Sequence, residues 1–234
     1  MSELYAEPAR RFVQARGGEV RTGAPATVSL DRGLVSGVDV RGERFTPGLV
    51  IAAVAWFSLP ELFGAARDSL AGLAPLFHAA VRTASSPIVT VNLWFDRPVC
   101  DVPFLGLPGR PMQWIFSRQA IVGGGGSHLS LVSSGAEAFL RWSNDELVAL
   151  ATQEVTRALP DSRAAGQLHG AVIRERRATF SLAPGQPDRP ATRTACPNLF
   201  LAGDWIDTGL PGTIESAVVS GHRAADAALE RLAS

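Results

Sequence analysis

Residues 197–223 read PNLFLAGDWIDTGLPGTIESAVVSGHR, and this stretch decides the fold. Leu199-Phe200-Leu201-Ala202 is a short, continuous apolar run, the pattern of a strand buried on both faces. Gly203 ends the run, and Asp204 follows at the strand's carboxyl end, where open α/β sheets receive ligands. A loop carrying Asp207, Thr208, Gly209, Pro211 and Gly212 leads into a helix expected from about Thr213 to Leu232. Ile214, Ala217, Val218, Gly221, Ala225 and Leu229 recur at helical spacing, and most are small. They predict a face that can lie close against a sheet or a flat ligand.

Gly212 and Thr213 leave the first amide N–H groups of that helix uncrowded, and a helix N-terminus favours negative charge by about 0.3–1 kcal/mol at a surface. Phosphate meets that requirement, and so does a reduced flavin ring with charge on one edge. Asp204 has the opposite chemistry: a carboxylate only accepts hydrogen bonds, which suits the hydroxyls of a ribityl chain. An ordinary strand–turn–helix with a capping aspartate fits the same letters.

GDWIDTGLPGTIESAVVSG followed by HRAADAAL resembles the carboxyl-terminal FAD signature of the flavin amine oxidase and phytoene desaturase superfamily. More narrowly, RRATF at 176–180, RPATRT at 189–194, NLFLAGDW at 198–205 and the DTG-x-P after it resemble the bacterial hydroxysqualene dehydroxylases, also called squalene-associated FAD-dependent desaturases. LYAEPARRFVQARGGEVRTG near the start, and VNLWFDRP and MQWIF in the middle, extend the likeness through nearly the whole chain in order. The resemblance implies an FAD cofactor held in part by Gly203, Asp204, Gly212, Thr213 and Ile214, with Ala26 at the backbone contact to adenine.

Composition narrows the classes. The chain has 234 residues, 46% of them hydrophobic, and a formal net charge of +0, which describes a globular protein and gives no basic surface for nucleic acid. Every one of the 22 basic residues is arginine, so a lysine beside the flavin, which many amine oxidases carry, cannot exist here. Cys100 and Cys196 stand alone, without metal-ligand spacing, and suit a reducing cytoplasm. The start, MSELYAEPARR, has no apolar signal core, and the longest apolar run, Leu49 to Phe57, is too short to span a bilayer. The expected location is cytoplasmic, with a peripheral contact to the inner face of the membrane left open.

In order, residues 3–16 read as a helix stopped by Gly17-Gly18, with Leu4, Phe12 and Val13 among its apolar positions, then a strand Glu19 to Thr22. Val28 to Leu30, Leu34 to Val40 and Arg44-Phe45, punctuated by Asp31-Arg32-Gly33 and Arg41-Gly42, read as an antiparallel meander. Leu49 to Ala55 returns as a buried strand, followed by a turn and a helix Glu61 to Leu70. From about Pro87 the texture turns β-branched and aromatic: Ile88 to Phe95, Met112 to Phe116, His128 to Ser133 and Ala171 to Thr179 read as strands. Trp94, Phe95, Phe104, Trp114 and Phe116 fit either a pocket lining or plain core. Gly123 to Gly126 is a loop and not a phosphate cradle. Ser143-Asn144-Asp145-Glu146 opens a helix through Ala158 as a capping box. His78, His128, His169 and His222 are spread along the chain and predict no joint site.

The expected fold is α/β: an incomplete FAD-binding dinucleotide-type domain (1–84 and 184–234) with an inserted antiparallel-sheet substrate domain (85–183). The GxGxxG βαβ unit that opens such flavoproteins is not in this sequence. A truncated gene model, a split protein whose front half is a separate chain, and a remnant each fit that pattern, and weak or absent FAD binding by this chain alone is expected. The resemblance implies an apolar isoprenoid substrate and hydride delivery from reduced FAD as the hydroxyl of hydroxysqualene departs, giving squalene for hopanoid synthesis. Asp207 is a candidate donor to that hydroxyl, weighed against loop capping. Carotenoid-type desaturation is the alternative. Amine oxidation fits less well, because Thr213 stands where an aromatic cage residue is usual and Tyr5 is the only tyrosine.

Overall fold

The computed structural model describes residues 2–64, 71–123 and 127–233, which fall into two compact units, 1–82 with 188–234, and 83–187. The end of the helix expected at 61–70 and most of the glycine run at 123–126 lie outside the described residues.

In the first unit, a π-helical turn, Ser2–Ala6, leads into α1, Glu7–Gln14. Gly18 N–H donates to Val13 O and Gly17 N–H to Gln14 O, with Gly17 at φ 80°, so the helix closes in a Schellman motif. No residue of α1 is buried, and Leu4, Phe12 and Val13 are exposed. The strand expected at Glu19–Thr22 does not form. That segment has no ladder partner among the described residues, and Arg21 instead pairs with Glu19 and Glu43 at 2.6 Å each, in exposed ion pairs of small energetic weight.

β1, Ala26–Asp31, β2, Leu34–Val40, and β3, Glu43–Phe45, form the antiparallel meander in the order β1-β2-β3. Both hairpins turn on an Arg-Gly pair with positive φ at each central residue: Arg32 at 47° and Gly33 at 83°, Arg41 at 51° and Gly42 at 84°. This is the backbone of a type I′ turn, whose twist matches that of the flanking strands.

β4, Val50–Ala52, pairs in parallel with the distant β10, Leu199–Leu201. All three β10 residues are buried, as expected for a parallel strand covered on both faces. α2, Leu59–Phe63, and α3, Ala74–Arg82, pack through Phe63 and Phe77, whose ring centroids lie 5.2 Å apart.

The second unit is a five-stranded antiparallel sheet. β5, Ser85–Phe95, lies between β8, Ser127–Ser134, and β9, Gln167–Phe180, while β7, Trp114–Ser117, and β6, Phe104–Gly106, extend the β8 side. β6 and the short α4, Arg118–Val122, were not foreseen. α5, Asn144–Ala158, starts with the expected capping box: Ser143 Oγ accepts from Glu146 N–H, and Glu146 Oε2 accepts from Ser143 N–H at 2.7 Å. The Ser143 N–H, and second the Ser143 hydroxyl, both donating to Glu146 Oε2, lower the pKa of the Glu146 carboxyl. Leu147, Ala151 and Val155 of α5 close the core against Val89, Val91 and Leu93 of β5 and Leu129 and Leu131 of β8.

Candidate functional site

Two residues past β10 comes Gly203, whose φ of 130° is outside the range favoured by side-chain-bearing residues, and a Cβ there would meet Trp205 Cδ1 at 3.3 Å. The chain turns because Trp205, 2% exposed, is tucked inward and donates from Nε1 to Val54 O at 3.0 Å. Asp204 is left half-buried at the strand's carboxyl end, and its carboxylate has no hydrogen-bond partner among the described residues. The loop then enters α6, Ile214–Ala233. Thr213 caps it, its Oγ1 accepting from Ser216 N–H at 3.2 Å. The helix start is open: Ile214 is half-exposed, and with Ala217, Val218, Ser2, Tyr5 and Ala6 it borders an apolar hollow of about 490 Å³.

The helix sits on its strand by a face other than the one periodicity picked out. Ile214, Val218, Ala225 and Leu229 are exposed, whereas Ser216, Ser220, Ala224 and Ala228, at a stride of four, are buried. Ser220 Oγ accepts from Gly203 N–H and lies 2.8 Å from Gly203 O, while Ser216 Oγ donates to Asp204 O at 3.0 Å and meets Thr208 Oγ1 at 2.7 Å. Small hydroxyl residues bring the helix near enough to satisfy the loop backbone, which an apolar stripe could not do. Serines four apart, continued by alanines four apart, carried that information; hydrophobic weighting gave them none.

A second residue outside the sequence reading is Asn198. It is buried, and its side-chain amide copies a strand: Oδ1 accepts from Val35 N–H at 2.8 Å and Nδ2 donates to Val35 O at 3.0 Å. It thereby ties β2 to the start of β10. Asp207, weighed above as a proton donor, is exposed, accepts from Gly209 N–H at 3.3 Å and faces Arg189 at 3.3 Å, the bonding of a loop cap.

Gly203, Asp204, Gly212, Thr213 and Ile214 therefore lie on one continuous strand, loop and helix. Ala26 lies apart from them in sequence, on β1, and is half-buried. β1 is an edge strand, so one side of its backbone has no strand partner among those described. An accepting carboxylate, a helix start bordering open space and an unpaired strand edge fit the hydroxyls, the ring and the adenine of a flavin dinucleotide.

In the second unit the histidines do assemble in part, contrary to expectation. Trp94 of β5 is in register with His128 of β8 on one side and His169 of β9 on the other. The His128 ring stacks on the indole at 4.2 Å with 17° between planes.

A parallel strand pair followed by a glycine-aspartate turn and a helix that starts at an open hollow is the arrangement of a dinucleotide-type fold. The chain belongs to the family of flavin containing amine oxidoreductases, whose sequence profile matches residues 2–229. The cofactor that this family implies is FAD. The chain is 33% identical over 232 residues, 98% of its length, to a hydroxysqualene dehydroxylase of Sinorhizobium fredii, and 24% identical over 251 residues to a 15-cis-phytoene desaturase of Synechococcus elongatus. It spans 51% of each of these relatives, about half their length. An oxidoreductase from Methanosarcina mazei shares the fold, with a TM-score of 0.70 at 17% identity over 91% of this chain and 51% of that one.

Proposed function

We propose that this chain is the substrate-handling and distal flavin-holding portion of an FAD-dependent oxidoreductase acting on an isoprenoid, and that the reaction is reductive dehydroxylation of hydroxysqualene to squalene. The likeness to the Sinorhizobium fredii protein over 98% of the chain carries this reading. The site supports it. Asp204 holds the ribityl hydroxyls, the Ile214 end of α6 meets the ring, and the β1 backbone meets adenine at Ala26. A bound reduced flavin supplies the hydride. The chain's own residues orient the substrate and keep water from a carbon that loses its hydroxyl, which calls for the apolar lining that the second unit's strands carry in abundance. A separate chain or segment bearing GxGxxG supplies the pyrophosphate contacts, and the substrate reaches the site from a membrane surface.

Hydroxysqualene incubated with the assembly of this chain and its dinucleotide-binding partner, under reduced flavin, is expected to give squalene. Absence of squalene rejects the reading, and desaturated products from phytoene would put carotenoid-type chemistry in its place. Asp204→Ala is expected to weaken flavin retention by about 1–3 kcal/mol, the cost of leaving ligand hydroxyls unpaired. Equilibrium dialysis of the assembly reads this, and retention equal to wild type removes Asp204 from the site.

A further inference from the structure

The parallel pair of β4 and β10 has one closed edge and one open edge. On the outer side of β10, Leu201 N–H donates to Thr192 O at 2.8 Å and Phe200 bridges to Arg193. β4 has no such cover. Its Val50 N–H donates to Asn198 O at 2.9 Å and its Ala52 O accepts from Ala202 N–H at 3.1 Å, so both residues address β10. The N–H and C=O of Ile51 between them point the other way, where no strand pairs with them among the described residues. Parallel strands are stable inside larger, doubly covered sheets, so a pair with one bare edge is an unfinished element.

Ile51 marks the gap. It is in register with Phe200, which packs on Ala224, Ala227 and Ala228, so its side chain projects from the same face of the sheet as α6 covers, yet it is 43% exposed. One flank of α6 is tied toward the closed edge: Glu230 pairs with Arg193, and Arg223 donates at 2.9 Å to the carbonyl of Asp207, whose N–H bonds to Pro190. Val218, Gly221, Ala225 and Leu229 run along the opposite flank, on the side of β4. Val218, Ala225 and Leu229 are exposed, and a Cβ on Gly221 would meet nothing within 4 Å. The apolar periodicity of α6 therefore lies on a flank that its own unit leaves uncovered.

The seat selects its occupant by geometry. An edge that extends a parallel sheet takes a strand running with β4, and the chain must then cross over one face, ordinarily as a helix. Such a helix would lie over Ile51 and beside Gly221 and Ala225, whose small size admits close approach. Strand, glycine turn and helix is the form of the GxGxxG unit, and a strand parallel to β4 delivers its turn to the sheet end where Asp204 and the start of α6 stand. This chain covers 51% of the Sinorhizobium fredii and Methanosarcina mazei chains, so each has length enough outside the match for that unit.

We propose that the free edge of β4, with Ile51 and the Val218-to-Leu229 flank of α6, is the docking seat of the dinucleotide-binding chain or segment, which adds a parallel strand to β4 and lays its next helix along α6. This rests on the functional reading above and adds to it the surface on which the two parts meet.

The chain is coexpressed with the tagged remainder of the Sinorhizobium fredii dehydroxylase, the part outside the match, and hydrogen exchange is followed in the purified complex. Copurification is expected, with exchange of the Ile51 N–H slowed by about tenfold or more relative to this chain alone, the mark of a ladder bond formed. Val218→Glu and Ala225→Arg should each weaken the complex by about tenfold or more while this chain's melting temperature holds. Leu168→Glu, at an exposed apolar position of the second unit, should leave the complex intact. No copurification, an Ile51 N–H that stays unprotected in the complex, or a complex indifferent to both α6 variants overturns the seat. Protection of Ile51 in this chain alone that grows with its concentration also overturns it, in favour of a second copy of the chain. A complex with Ile51 protected that yields no squalene from hydroxysqualene overturns the reaction and leaves the seat standing.

Discussion

Two serines and one asparagine organise the flavin-side unit, and each acts by completing backbone hydrogen bonds. Ser220→Ala leaves the part-buried Gly203 N–H without its acceptor, and a loss of about 1–3 kcal/mol in a urea titration is expected. Ser220→Thr, which keeps the hydroxyl, should recover part of it. Asn198 could not be read from the sequence, because a lone asparagine before a strand is ordinarily a turn former, and only the fold supplies Val35 from 163 positions away. Gly203 was legible as the end of the buried run, but its φ of 130° was not. His128 sets a pH test. Its native pKa lies below the ordinary 6.5, so beneath that value the unfolded chain binds more protons than the native one. The stability it contributes is complete above about 6.5 and is lost as pH falls toward the native pKa. An NMR titration is expected to place the midpoint below 6.5, and His128→Phe should flatten the acid limb of the stability profile.

The helices show which sequence signals survive folding. α5 was legible at its start because a capping box is local chemistry. Ser143→Ala removes the oxygen that Glu146 N–H needs and is expected to cost about 0.5–2 kcal/mol, read as a lower thermal midpoint. The existence of α6 was equally legible, but its orientation was not. A moment drawn from apolar residues points to Ile214, Val218 and Leu229, while the helix packs by serine and alanine, because close approach to a backbone loop rewards small side chains with a hydroxyl over large apolar ones. α1 marks the limit: its stop at Gly17-Gly18 was readable, but the helix expected over 3–16 is α-helical only at Glu7–Gln14 and buries none of its residues.

For the molecule as a whole, the parallel pairing of β4 with β10 was foreseeable because two short, fully apolar runs, far apart in sequence, each need a neighbour. Coexpression with a chain bearing GxGxxG is expected to give a yellow complex with flavin absorbance, while this chain alone stays pale. Colour from the chain alone would mean that the strand, loop and helix hold the flavin without a pyrophosphate cradle.

β5 and β9, which open and close the second unit, are hydrogen-bonded to one another, with Ser85 opposite Phe180. Ser181 N–H reaches Ala84 O at 2.8 Å, and Ala84 N–H reaches Gln186 at 2.7 Å. Entrance and exit are thus a single doorway, the arrangement that lets one module be spliced into another without prising its host apart. Expressed by itself, the fragment 83–187 should give a dispersed NMR spectrum and a cooperative melt. A graft exchanging that cassette between relatives should carry substrate preference with it, and flavin affinity should stay with the host.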